Sequence, residues 1–117
     1  MRLNVYHNPR CRKSREAVKY LLDKGVSFSI IKYLEESFDK NALVELLEKI
    51  EKKPSEILRK NEVLWKKKYA AKNLSEDQIL QLLVDQPKLI ERPIVTSTNM
   101  GVLARPIENL IEFLNKV

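Results

Sequence analysis

Of the chain's 117 residues, only one is cysteine, one is histidine and two are glycine. Cys11 has no partner for an internal disulfide, and His7 as sole imidazole cannot complete a Cys/His zinc cluster, so no bound metal is expected. No nicotinamide or flavin motif is present, which extends that expectation to bound cofactors. No apolar run approaches the roughly 18 residues of a membrane-spanning helix, and the opening MRLNVYHNPR has no apolar region of signal-peptide length. No membrane contact and a cytoplasmic location are expected. With 2 glycines, 5 prolines, 44% hydrophobic and 32% charged residues, the composition excludes linker-like, collagen-like and disordered classes. The length suits one domain spanning residues 1–117.

The net charge is +6, and it is concentrated in one place. Lys49 to Lys72 holds nine Lys or Arg against three Glu, and the rest of the chain balances. An anionic partner would therefore meet one middle segment rather than the whole surface.

Leu3 to Tyr6 reads as a short strand, His7-Asn8-Pro9 as a loop, and Ser14 to Lys24 as a helix with Ala17, Val18, Leu21 and Leu22 at helical spacing. Gly25 supplies a stop and Phe28 to Tyr33 a second strand, which predicts a parallel β-α-β unit. Asp39 caps a helix whose apolar positions Leu43, Val44, Leu46, Leu47 and Ile50 form one face, and Pro54 opens a short helix through Leu58. Ser75 with Gln78 forms a capping-box pattern before a stripe of Ile79, Leu80, Leu82, Leu83 and Val84 that runs up to the break at Pro87. A helical insertion over about 39–86 follows from these signals. Ile94 to Thr96 and Val102 to Ala104 then read as a hairpin, and Pro106 opens a final amphipathic helix.

Cys11 lies between the first strand and the first helix, where free N–H groups and the positive end of the helix dipole favour a thiolate. Arg10, Arg12, Lys13 and Arg15 add positive charge nearby in sequence. A lone cysteine is more often a small buried hydrophobe, but this neighbourhood points to a nucleophile.

The stretch His7-Asn8-Pro9-Arg10-Cys11-Arg12-Lys13-Ser14-Arg15 resembles the active-site loop of the glutaredoxin-coupled arsenate reductase family. Leu58-Arg59-Lys60-Asn61, Glu91-Arg92-Pro93-Ile94-Val95 and Ala104-Arg105-Pro106 match three further signatures of that family, in order and at similar spacings. The resemblance spans essentially the whole chain. It implies a thioredoxin-like α/β fold with a mixed four-stranded sheet, ordered β-α-β, helical insertion, β-β-α. It also implies that Cys11 is the nucleophile, and that Arg59, Arg92 and Arg105 bind the oxyanion. His7 and Asn8 would support the cysteine, Ser14 would offer its hydroxyl to the thiolate, and Pro93 would be a cis-proline facing the sulfur. The implied activity is reduction of arsenate to arsenite, in arsenic detoxification, with glutathione as co-substrate and glutaredoxin as partner. An external reductant accords with the absence of a second cysteine.

Where relatives of this kind typically carry Gly-Thr after the nucleophile, this chain has Arg12-Lys13, so another oxyanion or a different thiol substrate stays open. A second reading is an Spx-like regulator that binds RNA polymerase. Its redox-switching members use a Cys-x-x-Cys pair, whereas the second position here is Ser14. A third reading takes Lys49 to Lys72, with Trp65 and Tyr69, as a nucleic-acid surface. Nucleic acid is the least favoured partner, because Lys66, Lys67 and Lys68 fit a solvated helix face equally well.

Overall fold

Leu3 and Val5 alternate with Asn4 and Tyr6 along the first strand, β1 (Leu3–Tyr6), so its two faces enter two different cores. The structure, a computed structural model, describes residues 2–36 and 38–117. After a five-residue loop, α1 (Arg12–Asp23) buries Ser14, Ala17 and Leu21, and Gly25 at φ 69° turns the chain away. β2 (Phe28–Ile31) pairs parallel with β1, from Leu3 opposite Phe28 to Tyr6 opposite Ile31. Parallel pairing needs a crossover of this length, and α1 provides it. The second strand ends at Ile31 rather than Tyr33, because Tyr33 leaves the ladder in a turn and sinks into the core.

Two helices of the insertion start on side-chain caps. Asp39 accepts a hydrogen bond from the Ala42 N–H at 2.7 Å and starts α2 (Lys40–Ile50). Pro54–Ile57 is a 3-10 turn rather than a helix through Leu58, since Leu58 is drawn into an antiparallel bridge with Ile90. α3 (Val63–Lys68) carries Lys66, Lys67 and Lys68 exposed in its last turn, while Trp65 is buried. In α4 (Glu76–Asp85) the Ser75 hydroxyl accepts from the Gln78 N–H, and the Gln78 side chain accepts from the Ser75 N–H.

β3 (Ile94–Thr96) runs antiparallel to β1 and to β4 (Gly101–Leu103), giving the sheet order β2-β1-β3-β4. The last strand begins one residue earlier than the apolar pattern suggested, at Gly101. A Cβ there would come within 2.9 Å of Ile50 Cγ2 and 3.0 Å of Thr96 Cγ2, so only glycine lets β4 lie this close to α2. Pro106 stands just before α5 (Ile107–Lys116), in extended conformation, instead of within its first turn.

One core joins Leu3, Val5, Val95 and Ala104 to Ala17 and Leu21 of α1 and Leu110 and Phe113 of α5. The other joins Tyr33 and Ile94 to Leu43, Leu46, Leu83, Leu89 and Ile90. The sheet is therefore covered by α1 and α5 on one face and by the insertion on the other, the thioredoxin-like arrangement that the resemblance implied. Among the described residues no helix is long and apolar enough to cross a membrane.

Candidate active site

The loop after β1 is held by its own short side chains. The His7 N–H donates to Ile31 O at 2.9 Å, tying the loop to the end of β2. Asn8 Oδ1 accepts from the Arg10 N–H at 3.0 Å, and Asn8 O accepts from the Cys11 N–H at 3.0 Å. The Asn8 N–H in turn donates to Ser14 Oγ at 3.3 Å. His7, Asn8 and Ser14 are all buried, so this small network has no competing water to satisfy it.

Cys11 is thereby fixed as the N-cap of α1, with φ −90° and ψ 123°, half-buried and free of any disulfide. Partial burial pushes its thiol up. The Ser14 backbone N–H, the Arg92 guanidinium and the Lys13 backbone N–H outweigh burial, and the thiol lies below its ordinary value. Ser14 thus reaches the sulfur through its backbone N–H, while its hydroxyl accepts from Asn8. The cations next to Cys11 in sequence are not the ones that act on it. Arg15 donates to Pro9 O at 3.0 Å, Lys13 lies 3.9 Å from Glu16, and the charge that bears on the sulfur comes from Arg92, far along the chain.

Arg92 is delivered by a second piece of local structure. The Arg59 N–H donates to Leu89 O, and the Glu91 N–H donates to Ile57 O, both at 2.7 Å, around the Leu58–Ile90 bridge. This short antiparallel contact brings Arg59 alongside the segment that leads into Arg92. The Arg92–Pro93 peptide is cis, Pro93 is buried, and Pro93 O accepts from the Ala104 N–H at 2.8 Å. Arg105 follows Ala104, donates from Nη1 to Arg92 O at 3.3 Å, and places Nε 3.8 Å from Glu91 Oε2. The Arg105–Pro106 peptide is also cis.

The three arginines are therefore not equivalent. Arg105 is engaged by Glu91, whose carboxyl is pushed up by burial and drawn down by Arg105. Arg59 Nε and Nη1 and Arg92 Nε are buried with no partner among the described residues. Buried guanidinium donors without acceptors are costly, and an arriving oxyanion would supply the missing acceptors. His7 is set apart from these. Burial, then Lys32 and Arg15, push its imidazole below its usual range, and its buried Nδ1 has no described partner. It lines a groove of about 420 Å³ with Arg10, Lys32 and Leu34.

Two participants escaped the sequence reading. Glu91 was visible only as part of the Glu-Arg-Pro signature, and its pairing with Arg105 is a product of tertiary structure. Tyr33 read as one more strand residue, yet its hydroxyl lies in the field of Arg92 and Cys11. Among the described residues no group of three or more His, Cys, Asp or Glu could hold a metal ion.

The sequence profile of the ArsC family matches residues 6–113. An uncharacterized protein of Escherichia coli K12, YfgD, is 39% identical over 96% of both chains. A protein of Neisseria meningitidis named arsenate reductase is 33% identical over 92% of this chain and 94% of its own length. Among solved structures, an arsenate reductase from Vibrio cholerae superposes with a TM-score of 0.88 at 35% identity, covering 96% of this chain and 97% of that one.

Proposed function

The chain belongs to the ArsC family, and from that premise we propose that it is an arsenate reductase that uses Cys11 as nucleophile and thiols from outside the chain as reductants. The observation that carries this reading is the half-buried Cys11 at the start of α1, its thiol pulled down beside Arg92, with unpartnered buried guanidinium donors nearby.

The Cys11 thiolate donates an electron pair to arsenic, an S–As bond forms as an As–OH bond breaks, and the departing hydroxide takes a proton from solvent and leaves as water. Arg92 and Arg59 offset the charge of the oxyanion and present paired N–H donors to its oxygens. Arg105, restrained by Glu91 and by its bond to Arg92 O, holds the Arg92 segment in place and adds to the positive field. Asn8 and Ser14 fix the loop, and Pro93 fixes the approach of β3. The two electrons that take As(V) to As(III) come from glutathione and glutaredoxin, whose thiols end as a disulfide, and arsenite is released. The chain cannot supply them itself, since Cys11 is its only cysteine. The setting in which glutathione is abundant and reduced is the cytoplasm.

The test is arsenate-dependent NADPH oxidation in a coupled assay with glutathione, glutaredoxin and glutathione reductase. Turnover by wild type that disappears in Cys11→Ser is expected. A folded protein with a reactive Cys11 and no turnover with several glutaredoxins would overturn the reading.

A further inference from the structure

Tyr33 sits in the turn just after β2, with 1% of its surface exposed. Its ring packs in the core beneath the insertion, 6.1 Å from the Phe38 ring, which itself stacks on Tyr6 at 5.3 Å. The ring alone would make Tyr33 an ordinary core residue. The hydroxyl does not fit that description, because Oη is buried and the side chain that reaches it is the Arg92 guanidinium, itself a donor, which leaves the phenol O–H without an acceptor among the described residues. A phenol that serves only as packing is more economically a phenylalanine, and a buried hydroxyl usually finds a partner.

The surroundings of Oη indicate what that partner would be. The Arg92 guanidinium that reaches Oη is the same one that reaches the Cys11 sulfur, so hydroxyl and sulfur flank one cation. Glu91, the nearby carboxylate, is already occupied by Arg105. The sulfur already receives the Ser14 and Lys13 N–H groups and Arg92. What this space has in excess is donors. Arg92 Nε and the Tyr33 hydroxyl are buried without an acceptor, and so are Nε and Nη1 of Arg59, whose backbone the Leu58–Ile90 bridge brings alongside the segment leading into Arg92.

We infer that the Tyr33 hydroxyl is a further donor to the tetrahedral oxyanion held over Cys11, a ligand contact that supplements the arginines. This inference rests on the oxyanion reading of the site given above. Burial holds the hydroxyl neutral, with its pKa pushed up to about 12, so it keeps its proton throughout the range in which the thiolate exists. A neutral donor adds a directed contact to an oxygen without adding positive charge. It therefore favours a polyatomic oxyanion over a monatomic anion such as chloride, which the arginine field alone would attract as well.

The experiment measures protection of Cys11 from iodoacetamide by inorganic phosphate and by arsenate, in wild type and Tyr33→Phe, together with the pH profile of alkylation. Neither readout requires turnover. Tyr33→Phe keeps the ring, and a rise of about tenfold or more in the apparent Kd of both oxyanions is expected, with the alkylation profile unmoved. Chloride protection is expected to change little. An apparent Kd within twofold of wild type would overturn the inference and leave the arsenate reductase reading intact. A shifted alkylation profile with unchanged Kd would assign the hydroxyl to the thiolate and overturn it too. Phe38→Leu disturbs the same aromatic packing and keeps the hydroxyl, so an equal loss of affinity there would trace the effect to packing and count against the inference. Absence of oxyanion protection in wild type would overturn both readings. Protection that weakens in Tyr33→Phe, in a protein with no arsenate turnover, would uphold this inference while defeating the proposed activity.

Discussion

The helix starts of the insertion and the surroundings of Cys11 treat polar groups in opposite ways. At Asp39, Ser75 and Ser55 every side-chain oxygen that matters has a donor or acceptor: Asp39 with Ala42, Ser75 with Gln78, Ser55 with Glu76 at 2.7 Å. In the Cys11 loop and the segments packed beside it, buried atoms of His7, Tyr33, Arg59 and Arg92 have no such partner among the described residues. The first region is organised for stability and the second holds its interactions in reserve, which is where strain and unmet hydrogen bonds collect in proteins that bind something. Arg59 belongs to the insertion by sequence, yet its buried Nε and Nη1 share the unpartnered state of the second region.

Substitutions can break this division or sharpen it. Cys11→Ser is expected to abolish arsenate-dependent turnover while leaving the thermal midpoint near that of wild type, as read by the coupled assay and calorimetry. In the insertion, Leu83→Ala removes a side chain with 0% exposure and is expected to cost about 2–5 kcal/mol in urea denaturation. The Cys11 alkylation rate of the remaining folded protein should not change. Arg59→Met replaces orphaned donors with an apolar chain; turnover is expected to fall about a hundredfold while the midpoint holds or rises. A clear drop in stability would mean that Arg59 is a structural residue and would erase the contrast.

The pH profile separates the two regions more finely. Alkylation of Cys11 is expected to titrate below the ordinary thiol range, and Arg92→Ala should move the midpoint up. Because the folded value is the lower one, ionisation of Cys11 favours the fold above the ordinary thiol pKa. That contribution is lost as pH falls through the lowered value. An unmoved midpoint in Arg92→Ala would leave the two backbone N–H groups as the whole cause. Smallest of all, Ser75→Ala should cost about 1 kcal/mol of stability with no effect on the alkylation profile.

Local signals carried most of the fold. Asp39, the Ser75–Gln78 pair and Gly25 act within one turn of chain, so their effects could be read directly. The same holds for the strand order up to β2, because a short loop and one helix leave a parallel neighbour as the simple outcome. The boundary errors came from tertiary competition: Leu58 left its expected helix to bridge Ile90, and Tyr33 left its strand to bury a ring.

The site was legible as a set of residue types and less so as a set of partners. Asn8 and Cys11 lie in one loop and Ser14 in the first turn of the helix it leads into, so their mutual bonds are local. Charge was harder. Arg12, Lys13 and Arg15 stood closest to Cys11 in sequence, yet α1 turns them to solvent, and Arg92 reaches the sulfur from just before β3, the strand paired beside β1. Tyr33 was invisible because only a folded structure shows that its hydroxyl, not its ring, is the unusual part.

The glycine at the start of β4 has a consequence for how the molecule comes apart. With less than a methyl group of clearance between Gly101 and Ile50, α2 is keyed to the outer strand of the sheet. The insertion cannot swing outward as a flap without prying β4 from its neighbour, and Arg59 travels with it. Heating is therefore expected to melt insertion and sheet in one cooperative transition. Arg59 and the thiol then share a single lifetime, and a protease should find no intermediate in which the helices have been shed while Cys11 keeps its reactivity.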